Sequence, residues 1–104
     1  MGKKVLILGA GISGLSTAYF LKKNYQKDIS IKILEASSRA GGWVRSLKEE
    51  TGYLEQGPRG FRPQDKGQFT LELAKELGIL DKVISSNPKA KKRFIAHKDD
   101  LLAL

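Results

Sequence analysis

Cysteine is missing from this chain altogether, so it has no disulfide framework, no thiolate metal site and no cysteine nucleophile. Histidine occurs once, as His97. A zinc site without thiolates needs more than one histidine, and a Ser/His/Asp triad would rest entirely on this residue, so neither class of function is expected. No run is long and apolar enough to cross a bilayer, and neither internal repeats nor low-complexity tracts occur. Acidic residues are the scarce charge: 11 Asp and Glu stand against 19 Lys and Arg, a net charge of +8. That balance favours anionic partners such as phosphates, nucleic acid, acidic lipid surfaces or a carboxylated substrate.

At 104 residues, 40% of them hydrophobic and 29% charged, the composition is that of a globular protein with room for one domain and one modest core. The opening MGKKVLILGAGISGLSTAYF has the basic start and apolar middle of a secretory signal. Three glycines interrupt the run, however, and their spacing has another explanation. Val5 to Leu8 is an apolar run bounded by Lys4 and Gly9, which predicts a strand buried on both faces. From Ile12 to Asn24 the apolar residues Ile12, Leu15, Tyr19 and Leu21 recur at helical spacing, and Lys22, Lys23 and Lys27 load the helix end with cations. Ile29, Ile31 and Ile33 then alternate with Ser30 and Lys32, predicting a second strand that ends at Glu35. Strand, helix and strand fill about thirty residues, the size of one βαβ unit with parallel strands.

Further on, Trp43–Lys48 and Tyr53–Glu55 read as two short strands around a Thr51-Gly52 turn. Gly67–Leu77 reads as a helix with Phe69, Leu73, Ala74 and Leu77 on one face, Asp65 as its cap and Gly78 as its stop. Arg93–Lys98 and Leu101–Leu104 suggest a hairpin around Lys98-Asp99-Asp100, with His97 a surface residue near its turn. The run Lys89, Lys91, Lys92 and Arg93 invites a nucleic-acid or acidic-membrane reading. Only Phe94 interleaves it with an aromatic, so a solvated loop is the better account and no nucleic-acid partner is expected.

Gly9-Ala10-Gly11-Ile12-Ser13-Gly14 matches G-x-G-x-x-G between a predicted strand and a predicted helix. The first glycine permits the tight turn, the second lets backbone approach a pyrophosphate, and the third allows close packing of helix on strand. The phosphates would meet unpaired N–H groups at the helix start. Glu35 stands 21 residues beyond Gly14, at the end of the second strand, where a carboxylate accepts hydrogen bonds from an adenosine ribose and repels a 2′-phosphate. Dinucleotide binding is therefore expected. Arg39 and the pair Gly41-Gly42 follow, offering a guanidinium for the phosphate or ribose and backbone that can pass close to it.

E-x-x-x-R-x-G-G behind such a unit resembles the flavin-containing amine oxidase superfamily, and SSRAGGWVRS with LEQGPRGFRP is similar to its protoporphyrinogen oxidase family. The resemblance implies an α/β fold, a Rossmann-like FAD/NAD(P)-binding βαβ unit, with residues 1–104 as the N-terminal part of an FAD-binding domain whose substrate domain lies elsewhere. It implies FAD as cofactor, bound by Gly9, Ala10, Gly11, Ile12, Ser13 and Gly14 at the pyrophosphate, Glu35 at the ribose, and Arg39 and Gly42 along the phosphate and ribose path. Trp43 and the turn Gly57-Pro58-Arg59-Gly60 would lie toward the flavin, whereas Trp43 read alone would be a core residue. Further implications are a porphyrinogen substrate oxidised in haem biosynthesis, oxygen as acceptor, peripheral association with the mitochondrial inner membrane, a homodimer, and no catalytic residue or metal ligand in these 104 residues. Another flavin-dependent amine oxidase or carotenoid desaturase-type enzyme, or a non-catalytic dinucleotide-binding fragment, remains open.

Overall fold

The computed structural model describes residues 2–90 and 92–104. Lys91, part of the basic run, lies outside them. The chain divides into two compact units, Met1–Phe61 and Arg62–Leu104, a finer division than the single domain its length suggests.

In the first unit, strand β1 (Lys3–Leu8) pairs in parallel with β2 (Ile29–Leu34), and helix α1 (Ile12–Tyr25) connects them. The register runs from Lys3 opposite Ile29 to Leu8 opposite Leu34. Both strands therefore end at one level, which brings Gly9 and Glu35, the next residue of each, side by side. Val5, Ile7, Ile31 and Ile33 are half-buried and Ile29 is buried, whereas Leu6, Leu8 and Leu34 are exposed. The expectation of a strand buried on both faces is thus overturned. The strands alternate, because α1 covers one face of the pair and nothing described in this unit covers the other.

Helix α1 forms where it was expected, and part of its expected face is covered: Tyr19 and Leu21 are half-buried, as expected. Gly14 and Ala18 are half-buried beside them, whereas Ile12 and Leu15 at the start of the helix are exposed. Near its start the helix lies so close on the sheet that only glycine fits: a β-carbon on Gly14 would overlap the Gly9 carbonyl oxygen and come within 3.3 Å of the Ile7 side chain. At the other end the Lys22 ammonium donates to the Gln26 carbonyl at 2.9 Å. A cation there satisfies carbonyls that the helix leaves open.

Strands β3 (Ser46–Glu49) and β4 (Gly52–Glu55) form an antiparallel hairpin. Its turn is Glu50-Thr51, one residue earlier than the sequence suggests, and Trp43–Arg45 remain outside the strand. The Ser46 hydroxyl donates to Glu55 Oε1 across the pair at 2.6 Å.

In the second unit, α2 (Gln68–Glu76) follows a 3₁₀ turn over Asp65–Gly67. Asp65 is not its cap: it begins the 3₁₀ turn at φ +54°, Gly67 precedes the helix, and no side chain caps it. The tighter turn takes over the capping work, since the Gln68 N–H already donates to the Asp65 and Lys66 carbonyls. Leu73 is half-buried and Ala74 buried, but Phe69 and Leu77 are exposed, so half of the expected apolar face is covered. Gly78 ends the helix as expected, at φ +68°. Its N–H donates to Lys75 at 3.1 Å and that of Ile79 to Ala74 at 2.9 Å, the paired bonds of a Schellman ending. Strands β5 (Phe94–His97) and β6 (Asp100–Ala103) form the expected hairpin, with Lys98-Asp99 at the turn and His97 exposed opposite Asp100.

Candidate functional site

The common level at which β1 and β2 end is where the sequence motifs converge. Gly9 turns the chain at φ +97°, a conformation that glycine alone adopts without strain, and its N–H donates to the Leu34 carbonyl at 2.7 Å. Ala10 follows, only 6% exposed. Its N–H donates to Glu35 Oε2 at 2.7 Å and its carbonyl accepts the Gly41 N–H at 2.7 Å. Ala10, at the centre of the glycine turn, is thereby tied on both sides through its N–H and its carbonyl. Gly11, extended at ψ 179°, then begins α1, whose start carries neither a side-chain cap nor an acidic residue in its first turn.

Glu35 holds two loops at once. While Oε2 accepts from Ala10, Oε1 accepts the Ser37 N–H at 2.8 Å. These donors hold its carboxyl at a pKa of about 2 against an ordinary 4.5. The Ala10 N–H contributes most, followed by the N–H and hydroxyl of Ser37, while desolvation opposes them. The carboxylate is therefore fully ionised at neutral pH. It keeps further lone pairs for other donors, because an ionised carboxylate offers about four acceptor sites.

Beyond Glu35 the loop doubles back onto the glycine turn. The Ser37 hydroxyl donates to the Arg39 carbonyl at 2.8 Å. Gly41 and Gly42 stand at φ +116° and +58°, and Gly41 forms a parallel bridge with Gly11. A β-carbon on Gly42 would come within 3.2 Å of the Gly11 α-carbon. Both glycine segments are bare where they meet. Arg39 spends its guanidinium within this loop, donating to the carbonyls of Ala40, Gly42 and Val44.

Trp43 is 88% exposed, which excludes the core reading of that residue. Gly57 packs its backbone on the Trp43 carbonyl so closely that a β-carbon would overlap it, and the Gln56 N–H donates to Arg45 at 2.8 Å. The expected Gly57-Pro58-Arg59-Gly60 turn does not form. The chain bends at Gln56-Gly57 and then runs without a turn through Pro58, Arg59 and Gly60, all exposed. Packing against Trp43 fixes the bend, and the proline that follows holds its own φ near −65°. The boundary between the two units falls after Phe61, so the stretch GPRGF belongs to the unit that carries the glycine turn.

Gly9 to Gly14, Glu35, Arg39 and Gly42 thus form one connected cluster, with Trp43 and Gly57 adjoining it. The sequence reading missed the clamping of Ala10 from both sides and the part played by Ser37. A signal existed for the second, since serine close after a carboxylate favours local turns of this kind. None existed for the first, because a backbone amide carries no mark in a sequence.

The arrangement fits a dinucleotide. An uncapped helix start with the positive end of its dipole is suited to a pyrophosphate. Two glycine segments give close backbone approach, and an ionised carboxylate with spare lone pairs stands at the adjoining strand end, where a ribose would lie.

Comparison with known proteins agrees. The family model described as flavin containing amine oxidoreductase matches residues 12–101. Protoporphyrinogen oxidase of Bos taurus is 40% identical over 100 residues, covering 91% of this chain and 21% of that protein. The protein of the same name from Schizosaccharomyces pombe is 41% identical over 108 residues, covering 93% and 22%. Coproporphyrinogen III oxidase of Staphylococcus aureus is 37% identical over 100 residues, covering 94% and 20%. A crystal structure from Exiguobacterium sp. 255-15 superposes with a TM-score of 0.79 at 28% identity, over 99% of this chain and 22% of that one. The chain spans about one fifth of the length of the curated relatives it matches. Motif, geometry and relatives agree: this chain belongs to the flavin-containing amine oxidoreductase family, whose cofactor is FAD.

Proposed function

We propose that the chain supplies the adenosine-diphosphate end of an FAD site in an enzyme that oxidises protoporphyrinogen IX to protoporphyrin IX. The observation that carries the reading is Ala10, its N–H held by Glu35 and its carbonyl by Gly41, in a chain about 40% identical to protoporphyrinogen oxidases. In this reading the N–H groups of Gly11 to Gly14 receive the pyrophosphate, and Glu35 accepts a ribose hydroxyl while its charge discriminates against a 2′-phosphate. Ala10, Ile12 and Ser13 shape the same turn. Gly42 leaves room for the cofactor's backbone, and Trp43, Gly57, Pro58, Arg59 and Gly60 lie on the side toward the flavin ring.

The flavin supplies the redox chemistry when bound, taking hydride equivalents from the porphyrinogen and passing the electrons to oxygen. These residues bind and orient it, and none of them is assigned a proton-transfer role. The same resemblance supports a place in haem biosynthesis, peripheral association with the mitochondrial inner membrane, and a homodimer. Among the described residues no helix is long and apolar enough to cross a membrane.

The test is a chimera in which this chain replaces the corresponding segment of the bovine relative. It is expected to purify with FAD and to form fluorescent protoporphyrin from protoporphyrinogen IX. A chimera loaded with FAD yet inert toward that substrate overturns the substrate assignment while leaving the cofactor assignment standing. The Staphylococcus aureus relative's name favours a second substrate, coproporphyrinogen III. The same chimera assayed with both porphyrinogens separates the two.

A further inference from the structure

We infer that Arg39 is a positioning residue, which holds the Gly41-Gly42 turn against the glycine turn through its backbone carbonyls and leaves the cofactor phosphates to other groups. This deepens the proposed function and rests on it for its ligand. A guanidinium carries five N–H donors in a rigid planar fork. Nη1 donates to the Ala40 carbonyl at 3.1 Å and to that of Val44 at 3.3 Å, while Nη2 donates to Gly42. One side chain thereby gathers carbonyls one, three and five residues ahead of itself.

A second observation is independent of those bonds. A β-carbon built on Gly41 would lie 3.0 Å from Arg39 Nη1 and 2.9 Å from the Val44 carbonyl oxygen. The guanidinium thus lies across the bare face of that glycine, and the left-handed turn and the arginine fit one another. What the turn accomplishes is the close approach to Gly11 and the bond from the Gly41 N–H to Ala10. Two of the gathered carbonyls, those of Gly42 and Val44, also flank Trp43, so Arg39 sets the direction in which that exposed ring leaves the backbone. Lysine cannot substitute, since its single ammonium lacks the planar fork needed to span three carbonyls.

The experiment uses the full chain, in which Trp43 is the sole tryptophan, and titrates it with FAD, ADP and adenosine while following Trp43 emission. R39K and R39A are each expected to weaken all three ligands by a similar factor, on the order of tenfold. The adenosine arm is decisive, because adenosine has no phosphate for a guanidinium to hold. Normal ADP and FAD binding by R39K, with R39A losing those two and keeping adenosine, overturns the inference in favour of a phosphate ligand.

Amide hydrogen exchange without ligand gives a readout that does not depend on cofactor binding. In R39K the Gly41 and Val44 amides are expected to exchange several-fold faster while Gly9 stays protected by Leu34. Unchanged exchange at Gly41 and Val44 sinks the inference. If R39A unfolds the strand pair, R39K decides alone. If the wild-type chain on its own binds none of the three ligands, the exchange experiment judges Arg39 by itself.

Discussion

The two units of this chain are held together in different ways. In Met1–Phe61 the decisive bonds join residues far apart in sequence: Ala10 to Glu35, Gly9 to Leu34 and Gly41 to Ala10. In Arg62–Leu104 the tertiary devices are local, a Schellman ending on α2 and a hairpin with a two-residue turn. The contrast teaches where the chemistry resides. A site that must hold a ligand's two ends at fixed separation needs segments from distant parts of the chain locked together beforehand. Local devices give secondary structure and no such lock.

The sharpest way to break the contrast is Gly14→Ala, the largest effect expected. A β-carbon there would overlap the Gly9 carbonyl oxygen, which is backbone and cannot rotate away. Either α1 lifts from the sheet or the turn deforms. Overpacking of this kind costs about 1–3 kcal/mol, and FAD binding should fall by more than tenfold. The check is the Trp43 titration together with exchange at Gly9. If the first unit is knit as described, the second unit's α2 and hairpin amides keep their protection in this variant.

Much of the first unit was legible in the sequence because its signals are dictated by sterics. The G-x-G-x-x-G spacing, the alternation from Ile29 to Ile33 and the acid after the second strand each have one economical reading, and all fell where expected. Less legible was the covering of faces. The Val5–Leu8 run looked buried on both sides, yet Leu6 and Leu8 are 57% and 77% exposed, because an apolar run states what a strand can bury and is silent about what covers it. GPRG looked like a turn on composition, and only its Gly57 is bent, against a carbonyl contributed by Trp43. Asp65 offered the right side chain for a cap but was pre-empted by a 3₁₀ turn. In each case a distant or competing backbone group decided, and such groups carry no residue-level signal.

Glu35→Gln probes the lock without a steric clash, and its effect should be intermediate. The amide keeps one acceptor oxygen and turns an NH₂ toward one of the two donors, so either the Ala10 or the Ser37 N–H loses its partner. FAD affinity is expected to fall about tenfold, with discrimination against a 2′-phosphorylated ribose lost at the same time. The wild-type pH profile has a definite sign. With the folded carboxyl at about 2 and its ordinary value at 4.5, the tie's stabilisation is complete above about 4.5 and is lost as pH falls toward 2. Between pH 5 and 8 Glu35 therefore contributes no slope to binding. A titration step in that interval that disappears in Glu35→Gln would show that the two N–H donors do not hold the carboxylate as described.

Gly78→Ala carries the smallest effect and tests the other side of the contrast. Gly78 sits at φ +68° with open space where a β-carbon would go, so the substitution meets a conformational cost and no clash. For a non-glycine residue in the left-handed region that cost is about 1 kcal/mol. It should appear as faster exchange at Ile79, whose N–H closes the Schellman ending on Ala74, and FAD binding should be unchanged. A fall in FAD affinity to match would mean that the second unit's local device supports the site after all, and the division between a locked unit and a locally built one would have to be redrawn.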